Sequence, residues 1–250
     1  MFVGGYDWSD KASVYDKYCP RYSKGVIGKT VRYIYKHGID IKESVIADIG
    51  SGTGILTRQL LECSPQKIYA VDIDDAMHSV AKSYKSDVIY VQGSGNDTGI
   101  PDNSVDIITV GMALHWLEPK STIAEFKRVH KPGCAIVVFS NSYLYENNNR
   151  DIILAEKKAW AQVSHKQDIK GVPQYRWKID AINGETHCFR SVSSFKKMTK
   201  KRYVNSILTR SKSPPAHSTI GKEYIKLLGD IYDKYRPSIR KTTRASIVII

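Results

Sequence analysis

Ala47-Asp48-Ile49-Gly50-Ser51-Gly52-Thr53-Gly54, directly after Val45-Ile46, sets the architecture of this chain. An apolar run rich in β-branched residues leads into three glycines at alternate positions, and Ile55-Leu56-Thr57-Arg58-Gln59-Leu60-Leu61 follows. That order reads as strand, tight turn and helix. Glycine is required where backbone turns sharply or lies against a ligand, because a Cβ would occupy the space. The helix behind the turn aims its unpaired N–H groups at whatever the turn holds. A dinucleotide fingerprint, G-x-G-x-x-G, counted from Gly50 and Gly52 needs its third glycine at position 55, which is Ile55. The pattern is instead G-x-G-x-G, with Asp48 two residues ahead of it.

Moving outward, strands are expected at 45–49, 67–73, 87–91, 105–110 and 135–139, with helices at 55–63, 76–84 and 122–130. Lys131-Pro132-Gly133 reads as the turn that closes the last of these helices. Regular alternation predicts an α/β, doubly wound, mostly parallel sheet covered on both faces, with ligands beyond the carboxyl ends of the strands. Ahead of it, a segment rich in tyrosine contains a helix over 26–35 that ends at His37-Gly38. After Asn141 the rhythm breaks. A helix is expected at 151–163, a polar stretch at 164–194 punctuated by Pro173 and Gly184, and a helix running into a strand over 194–207. A helix at 220–235 and an apolar strand at 245–250 close the chain. The expected organisation is a helical lid over 1–40, a core over 41–141, an insertion or substrate cap over 142–195, and a return to the sheet over 196–250. These parts are expected to form one structural domain.

Composition excludes several classes. The apolar stretches are too short to span a bilayer, and the N-terminus shows neither a basic n-region nor an apolar h-region. Cys19, Cys63, Cys134 and Cys188 are scattered without C-x-x-C, which argues against zinc and against a disulfide framework. No metal is expected, and a reduced cytoplasmic location is the default. Residues 1–140 hold 16 Lys+Arg and 16 Asp+Glu, whereas residues 141–250 hold 22 and 9, so the whole +13 lies in the second part.

The Asp48–Gly54 pattern resembles motif I of the class I S-adenosylmethionine-dependent methyltransferases. Longer stretches narrow the resemblance. Ser94 through Pro101-Asp102-Asn103-Ser104-Val105-Asp106 to Ala113-Leu114-His115-Trp116 is similar to the S-A-E-x-T-G-L-P…S-V-D-L…A-L-H-W pattern of the small-molecule, trans-aconitate methyltransferase-like (type 11) group. Tyr15-Asp16-Lys17-Tyr18-Cys19-Pro20-Arg21-Tyr22 resembles that group's Y-x-x-x-R-P-x-Y segment, with Cys19 where arginine is usual. Phe126-Lys127-Arg128-Val129-His130-Lys131-Pro132-Gly133 resembles its E-x-x-R-V-L-K-P-G-G element. Ser211-Lys212-Ser213-Pro214-Pro215 and Asp230-Ile231-Tyr232-Asp233-Lys234-Tyr235 extend the similarity over nearly the whole chain.

The resemblance implies a seven-stranded Rossmann-like sheet and S-adenosylmethionine as cofactor, with S-adenosylhomocysteine as product. Asp48, Gly50, Ser51, Gly52 and Gly54 would form its turn, and Gly111 and Met112 would run beside its methionine part. Asp72, 24 residues beyond Asp48 at the end of the second strand with Ile73 beside it, suits the ribose hydroxyls, because a carboxylate accepts two donors at once. The alternative is an exposed strand-end aspartate. Asp74 and Asp75 read as helix caps. Ser94, Gly95 and Asn96 fall where adenine should lie. Asn96 stands where glutamate is common and Gly95 where alanine is, and both departures weaken the grip on the cofactor.

His115 follows the fourth strand, where it can take a proton from a hydroxyl or amine, or merely orient and pack. Trp116 can face the methylsulfonium or wall the pocket. Tyr18 and Arg21 are candidates for the methionine carboxylate, and Tyr22 and Tyr143 for the acceptor. The Asp/Asn-Pro-Pro-aromatic element and the Pro-Cys nucleophile of base methylation are absent, since Val110-Gly111-Met112-Ala113-Leu114-His115 occupies that strand exit. The expected partner is a small, polar or anionic metabolite, methylated on oxygen by preference. The basic run Lys196, Lys197, Lys200, Lys201 and Arg202 keeps an RNA or ribonucleoprotein substrate as an alternative on charge alone, though no recognition module supports nucleic acid. A non-catalytic cofactor-binding scaffold is the second alternative. The sequence leaves oligomeric state open.

Overall fold

The computed structural model describes residues 8–146, 150–164, 182 and 186–250. Its described residues divide into two compact units. One comprises those up to Pro20, from 142 to 164 and from 192 to 242; the other runs from Arg21 to Asn141 and adds the described residues of 182–191 and 243–250. The boundaries differ from the four-part expectation. The helix of 24–36 belongs with the sheet instead of with a lid, and only the last eight residues of the chain return to the sheet unit from beyond 242.

In the sheet unit, α2 (Lys24–Lys36) buries Val26, Ile27, Thr30 and Ile34, a single helical stripe, and ends at His37 and a left-handed Gly38. The strands are β1 (Val45–Ile49), β2 (Lys67–Asp72), β3 (Ile89–Gln92), β4 (Val105–Gly111), β5 (His130–Tyr145), β6 (Thr186–Val192) and β8 (Ser238–Ile249), with β7 (Lys196–Lys197) pairing β8. Their order, β3-β2-β1-β4-β5-β8-β6, reverses direction of growth at β1 and β4. The β1–β2, β2–β3, β1–β4 and β4–β5 pairs are all parallel. Central strands covered on both faces should be apolar throughout rather than alternating. Ile46, Ala47 and Ile49 accordingly are buried, as are Ile107, Ile108 and Val110. The doubly wound α/β sheet expected from the alternation is present, enlarged by the short β7.

Helices α3 (Ile55–Leu61), α4 (Asp75–Lys82) and α5 (Pro119–Val129) connect these strands. Asp74 caps α4 by accepting from the Met77 amide at 2.9 Å. Glu118 caps α5 by accepting from the Lys120 and Ser121 amides, with Pro119 in the first helical position. That cap starts α5 three residues before the expected 122. The Lys131-Pro132-Gly133 turn is absorbed into β5: register moves from Val105↔His130 to Ile107↔Ala135, with Gly133 at φ +81°. A bulge accommodates what the residue types read as a turn.

The helical unit holds α1 (Ala12–Tyr18), α6 (Arg150–Ser164), α7 (Lys200–Leu208) and α8 (Thr219–Tyr235). Ile152, Val163, Tyr203, Ile207, Leu228 and Ile231 lie in its core. The order expected over 194–207 is reversed: the strand β7 comes first and the helix follows. Thr199 makes the difference, since its hydroxyl accepts from the Arg202 amide and starts α7 there. Glu156 is buried in this unit, accepting from Tyr203 Oη at 2.9 Å, from both terminal nitrogens of Arg210 at 3.2 Å, and from Tyr145 Oη. β6 was not anticipated, because it lies in the stretch expected to be polar loop; Pro173 and Gly184 lie outside the described residues.

Candidate active site

Gly50, Gly52 and Gly54 all have positive φ, at +67°, +57° and +76°. The strand therefore leaves the sheet through a left-handed path that a side chain resists. Space adds a second requirement at Gly50, where a Cβ would stand 2.5 Å from the Ala113 Cβ of the segment after β4. At Gly52 a Cβ would meet nothing within 4 Å, so that backbone is open to close approach. The turn is pinned from below: the Ser51 amide donates to the Val71 carbonyl at 3.0 Å and the Gly54 amide to the Ser51 carbonyl at 3.0 Å.

Asp72 ends β2 beside this turn. Its Oδ2 accepts from the Gly52 amide at 2.7 Å and its Oδ1 from the Asp74 amide at 3.0 Å. Burial pushes the carboxyl above its ordinary pKa, and those two amides oppose the shift. A carboxylate offers about four acceptor positions, so roughly two remain for a pair of hydroxyls. The geometry thus fits a ribose. Ile73, next along, is 47% exposed and offers an apolar surface beside it.

Asp48 departs from its expected role as a cofactor contact. It is fully buried, its Oδ2 accepts from Thr57 Oγ1 at 2.6 Å, and its Oδ1 accepts from Thr109 Oγ1 at 2.9 Å. Burial raises its pKa to about 6 against these hydroxyls. It ties β1 to α3 and β4 beneath the turn and does not reach the surface. Tyr22 is likewise buried, with its ring edge-on to Phe139 at 5.6 Å and its backbone held at both ends by Gln59. Its hydroxyl lies 2.8 Å from where a Gly111 Cβ would be, so it walls the β4 exit.

The loop after β3 is compact. The Ser94 amide donates to the Asp97 carbonyl at 2.8 Å, and Ser94 Oγ donates to Asn96 Oδ1 at 2.8 Å. Gly95 leaves room for Leu117, whose Cδ2 would lie 2.7 Å from a Cβ there. Glu125 braces the loop from α5, accepting from the Thr98 amide at 2.8 Å and Thr98 Oγ1 at 2.6 Å. Arg128 grips the same carboxylate and holds its pKa down at about 2. Sequence reading missed this brace, whose one visible signal is the Glu125-x-x-Arg128 spacing on a helix.

At the β4 exit Met112 adopts φ +55°, rare for a residue with a side chain, while its amide donates to the Phe139 carbonyl at 3.0 Å. Met112 is 39% exposed. His115 lies one turn on, in the short 3-10 helix Leu114–Trp116, half-buried, with its ring tilted against Trp116 at 4.6 Å. Desolvation lowers its pKa, so the imidazole is neutral at neutral pH. The turn, Asp72, the 94–96 loop, Met112 and His115 all sit at the carboxyl ends of β1, β2, β3 and β4. Arg21 is exposed in the sheet unit, whereas Tyr18 and Tyr143 belong to the helical unit.

Residues 47–138 match the family described as "Methyltransferase domain". Over those residues the chain is similar to a methyltransferase domain. An uncharacterised methyltransferase of Mycobacterium tuberculosis is 35% identical over 88 residues, 35% of this chain and 36% of that protein. Another, from Schizosaccharomyces pombe, is 32% identical over 98 residues, 39% of each chain. The chain thus spans little more than a third of the length of these relatives. A malonyl-[acyl-carrier protein] O-methyltransferase of Halalkalibacterium halodurans is 26% identical over 207 residues, 76% of this chain and 75% of that one. Among solved structures, a protein of Anaeromyxobacter dehalogenans described as a "Putative Type II Methyltransferase" has a TM-score of 0.57 at 17% identity, covering 92% of this chain and 96% of its own. That likeness extends the methyltransferase fold well beyond the matched domain.

Proposed function

We propose that this chain transfers a methyl group from S-adenosylmethionine to a small-molecule acceptor, on oxygen by preference. The observation that carries the reading is the Asp72 carboxylate, set by the Gly52 amide against an open glycine turn. S-adenosylmethionine, when bound, supplies a methyl group already activated by its sulfonium. Asp72 holds the ribose hydroxyls, Gly50 to Gly54 pass beneath the ligand, Ser94 to Asn96 line the base, and Gly111 and Met112 flank the methionine part. The protein's remaining work is alignment of the acceptor and exclusion of water.

His115 takes the acceptor's proton as its oxygen becomes nucleophilic. A base must be unprotonated to act, and the desolvation that lowers its pKa keeps it so at neutral pH. Trp116 and Arg21 complete the reading around the acceptor and the methionine carboxylate. Relatives named as a demethylmenaquinone methyltransferase of Renibacterium salmoninarum and the malonyl carrier-protein enzyme favour a metabolite over a nucleic acid as acceptor. Among the described residues no helix is long and apolar enough to cross a membrane.

Calorimetry with S-adenosylhomocysteine tests the reading directly. Binding should weaken by about 30-fold or more in Asp72→Ala, because two charge-assisted hydrogen bonds are lost. An unaltered affinity removes Asp72 from the site, and no binding by the parent protein removes the function. With an acceptor found by screening metabolite pools, His115→Ala should lower kcat by about a hundredfold while leaving cofactor affinity intact. Full activity in that variant rules out the base.

A further inference from the structure

One buried base stands behind the glycine turn without any part in the chemistry above. His78, on α4, is 2% exposed, and its Nε2 lies 3.5 Å from Oγ of Ser51, the residue between Gly50 and Gly52. The Ala70 backbone of β2 also meets the ring and favours its protonation, and the Tyr90 ring of β3 stands edge-on to it at 5.5 Å. An apolar side chain would fill this position at a lower desolvation cost, so an imidazole here calls for a use.

Its hydrogen bonds define that use. A neutral imidazole has one N–H and one acceptor nitrogen. In the tautomer that carries its proton on Nδ1, Nε2 is the acceptor, and the Ser51 hydroxyl donates to it. We propose that His78 is a positioning residue for the cofactor turn: neutral, it fixes the direction of the Ser51 hydroxyl, and protonated, it reverses that direction and weakens cofactor capture. The inference rests on the methyltransferase reading, because it assigns Ser51 to the cofactor turn.

The surrounding charges are few. Lys82, one turn along α4, opposes protonation; Asp74 and Asp75, at the start of that helix, favour it; and burial opposes it most strongly. Tyr90 is the titratable group facing the ring from β3, while Ser51 and Ala70 bring no charge from the turn and β2. Protonation therefore requires acid beyond the ordinary histidine range. The expected signature is a loss of affinity on the acid side of neutrality.

S-adenosylhomocysteine titrated by calorimetry from about pH 8 to about pH 5.5 provides the test. Asp48 and Asp72 also titrate, but equally in parent and variants, so the difference between them isolates His78. Glutamine reaches the Nε2 position without titrating. His78→Gln should bind within about threefold of the parent at pH 8 and lose about threefold less affinity by pH 5.5, since the lowered pKa leaves less than one pH unit of linked titration in that range. His78→Leu should bind more weakly than His78→Gln at pH 8. Parallel pH curves for parent and His78→Gln overturn the proposal while leaving the function intact. Failure of the parent to bind at pH 8 overturns the function, and this inference with it. The parent alone gives a second reading that no folding defect can obscure: saturating S-adenosylhomocysteine should move the His78 imidazole titration, followed by NMR, to lower pH. An unmoved titration overturns the proposal.

Discussion

The sheet unit and the helical unit both bury a carboxylate, and they do so in opposite ways. Asp48 lies under the glycine turn with the Thr57 and Thr109 hydroxyls for side-chain partners, and burial raises its pKa to about 6 against them. Glu156 lies among α6, α7 and Tyr145 and meets a guanidinium as well as two phenols. A cage without a cation leaves a buried charge uncompensated, whereas an arginine partner offsets part of its desolvation. The phenols pay for this arrangement: burial and the Glu156 charge push both Tyr203 and Tyr145 well above the ordinary range. One unit therefore carries an acid that responds to pH near neutrality, and the other carries a carboxylate braced by an arginine and two phenols.

Removing each brace sharpens the contrast. Glu156→Ala should show the largest effect, about 3–5 kcal/mol of lost stability, because it leaves the buried Tyr203 hydroxyl and the half-buried Tyr145 hydroxyl without their acceptor. Native-state hydrogen exchange should register the loss in α6, α7 and α8; protection that falls equally in β1 and β4 would erase the distinction between the units. Asp48 predicts a slope instead. Its folded pKa is raised from 3.8 to about 6, so the folded protein binds the extra proton and stability is fully present below pH 4. Stability should then fall by about 3 kcal/mol as pH rises through 6, a slope absent in Asp48→Asn. Denaturant unfolding at several pH values measures both proteins, and identical slopes would place the titration elsewhere.

The smallest effect separates two glycines of the same turn. Gly50→Ala must overcome both a positive φ and a 2.5 Å approach to Ala113, and should cost about 2–4 kcal/mol. Gly52→Ala meets only the φ strain, about 1–2 kcal/mol, yet should impair cofactor binding more per unit of lost stability. Thermal unfolding paired with calorimetry resolves the two. Equal unfolding costs would mean that the Ala113 segment yields to the added methyl group.

Much of the sheet unit was legible because its signals are local. Val45–Ile49 followed by alternating glycines announces a strand and a left-handed turn within ten residues, and Asp74 caps the next helix three residues away. The same locality misled at Lys131-Pro132-Gly133, where turn-forming residues are overruled by pairing with β4 and end as a bulge. In the helical unit the decisive contacts are distant: Glu156 reaches Arg210 across 54 positions, and Lys11 donates to the Ser211 carbonyl 200 positions away at 3.0 Å. No spacing rule links such residues, so the basic run at 196–202 looked like helix entering strand when Thr199 imposes the reverse.

From residue order alone follow the parallel sheet, the glycine turn and the placement of Asp72 at a strand end, since each depends on side-chain period or on backbone freedom at single positions. Tertiary structure was needed to separate Asp48 from Asp72. Two aspartates at successive strand ends carry the same chemistry in sequence. Burial between Thr57 and Thr109 withdraws one from the surface, while the Gly52 amide holds the other beside the turn. Desolvation and hydrogen-bond geometry belong to the folded chain, and they turn two like residues into a brace and a ligand-facing acid.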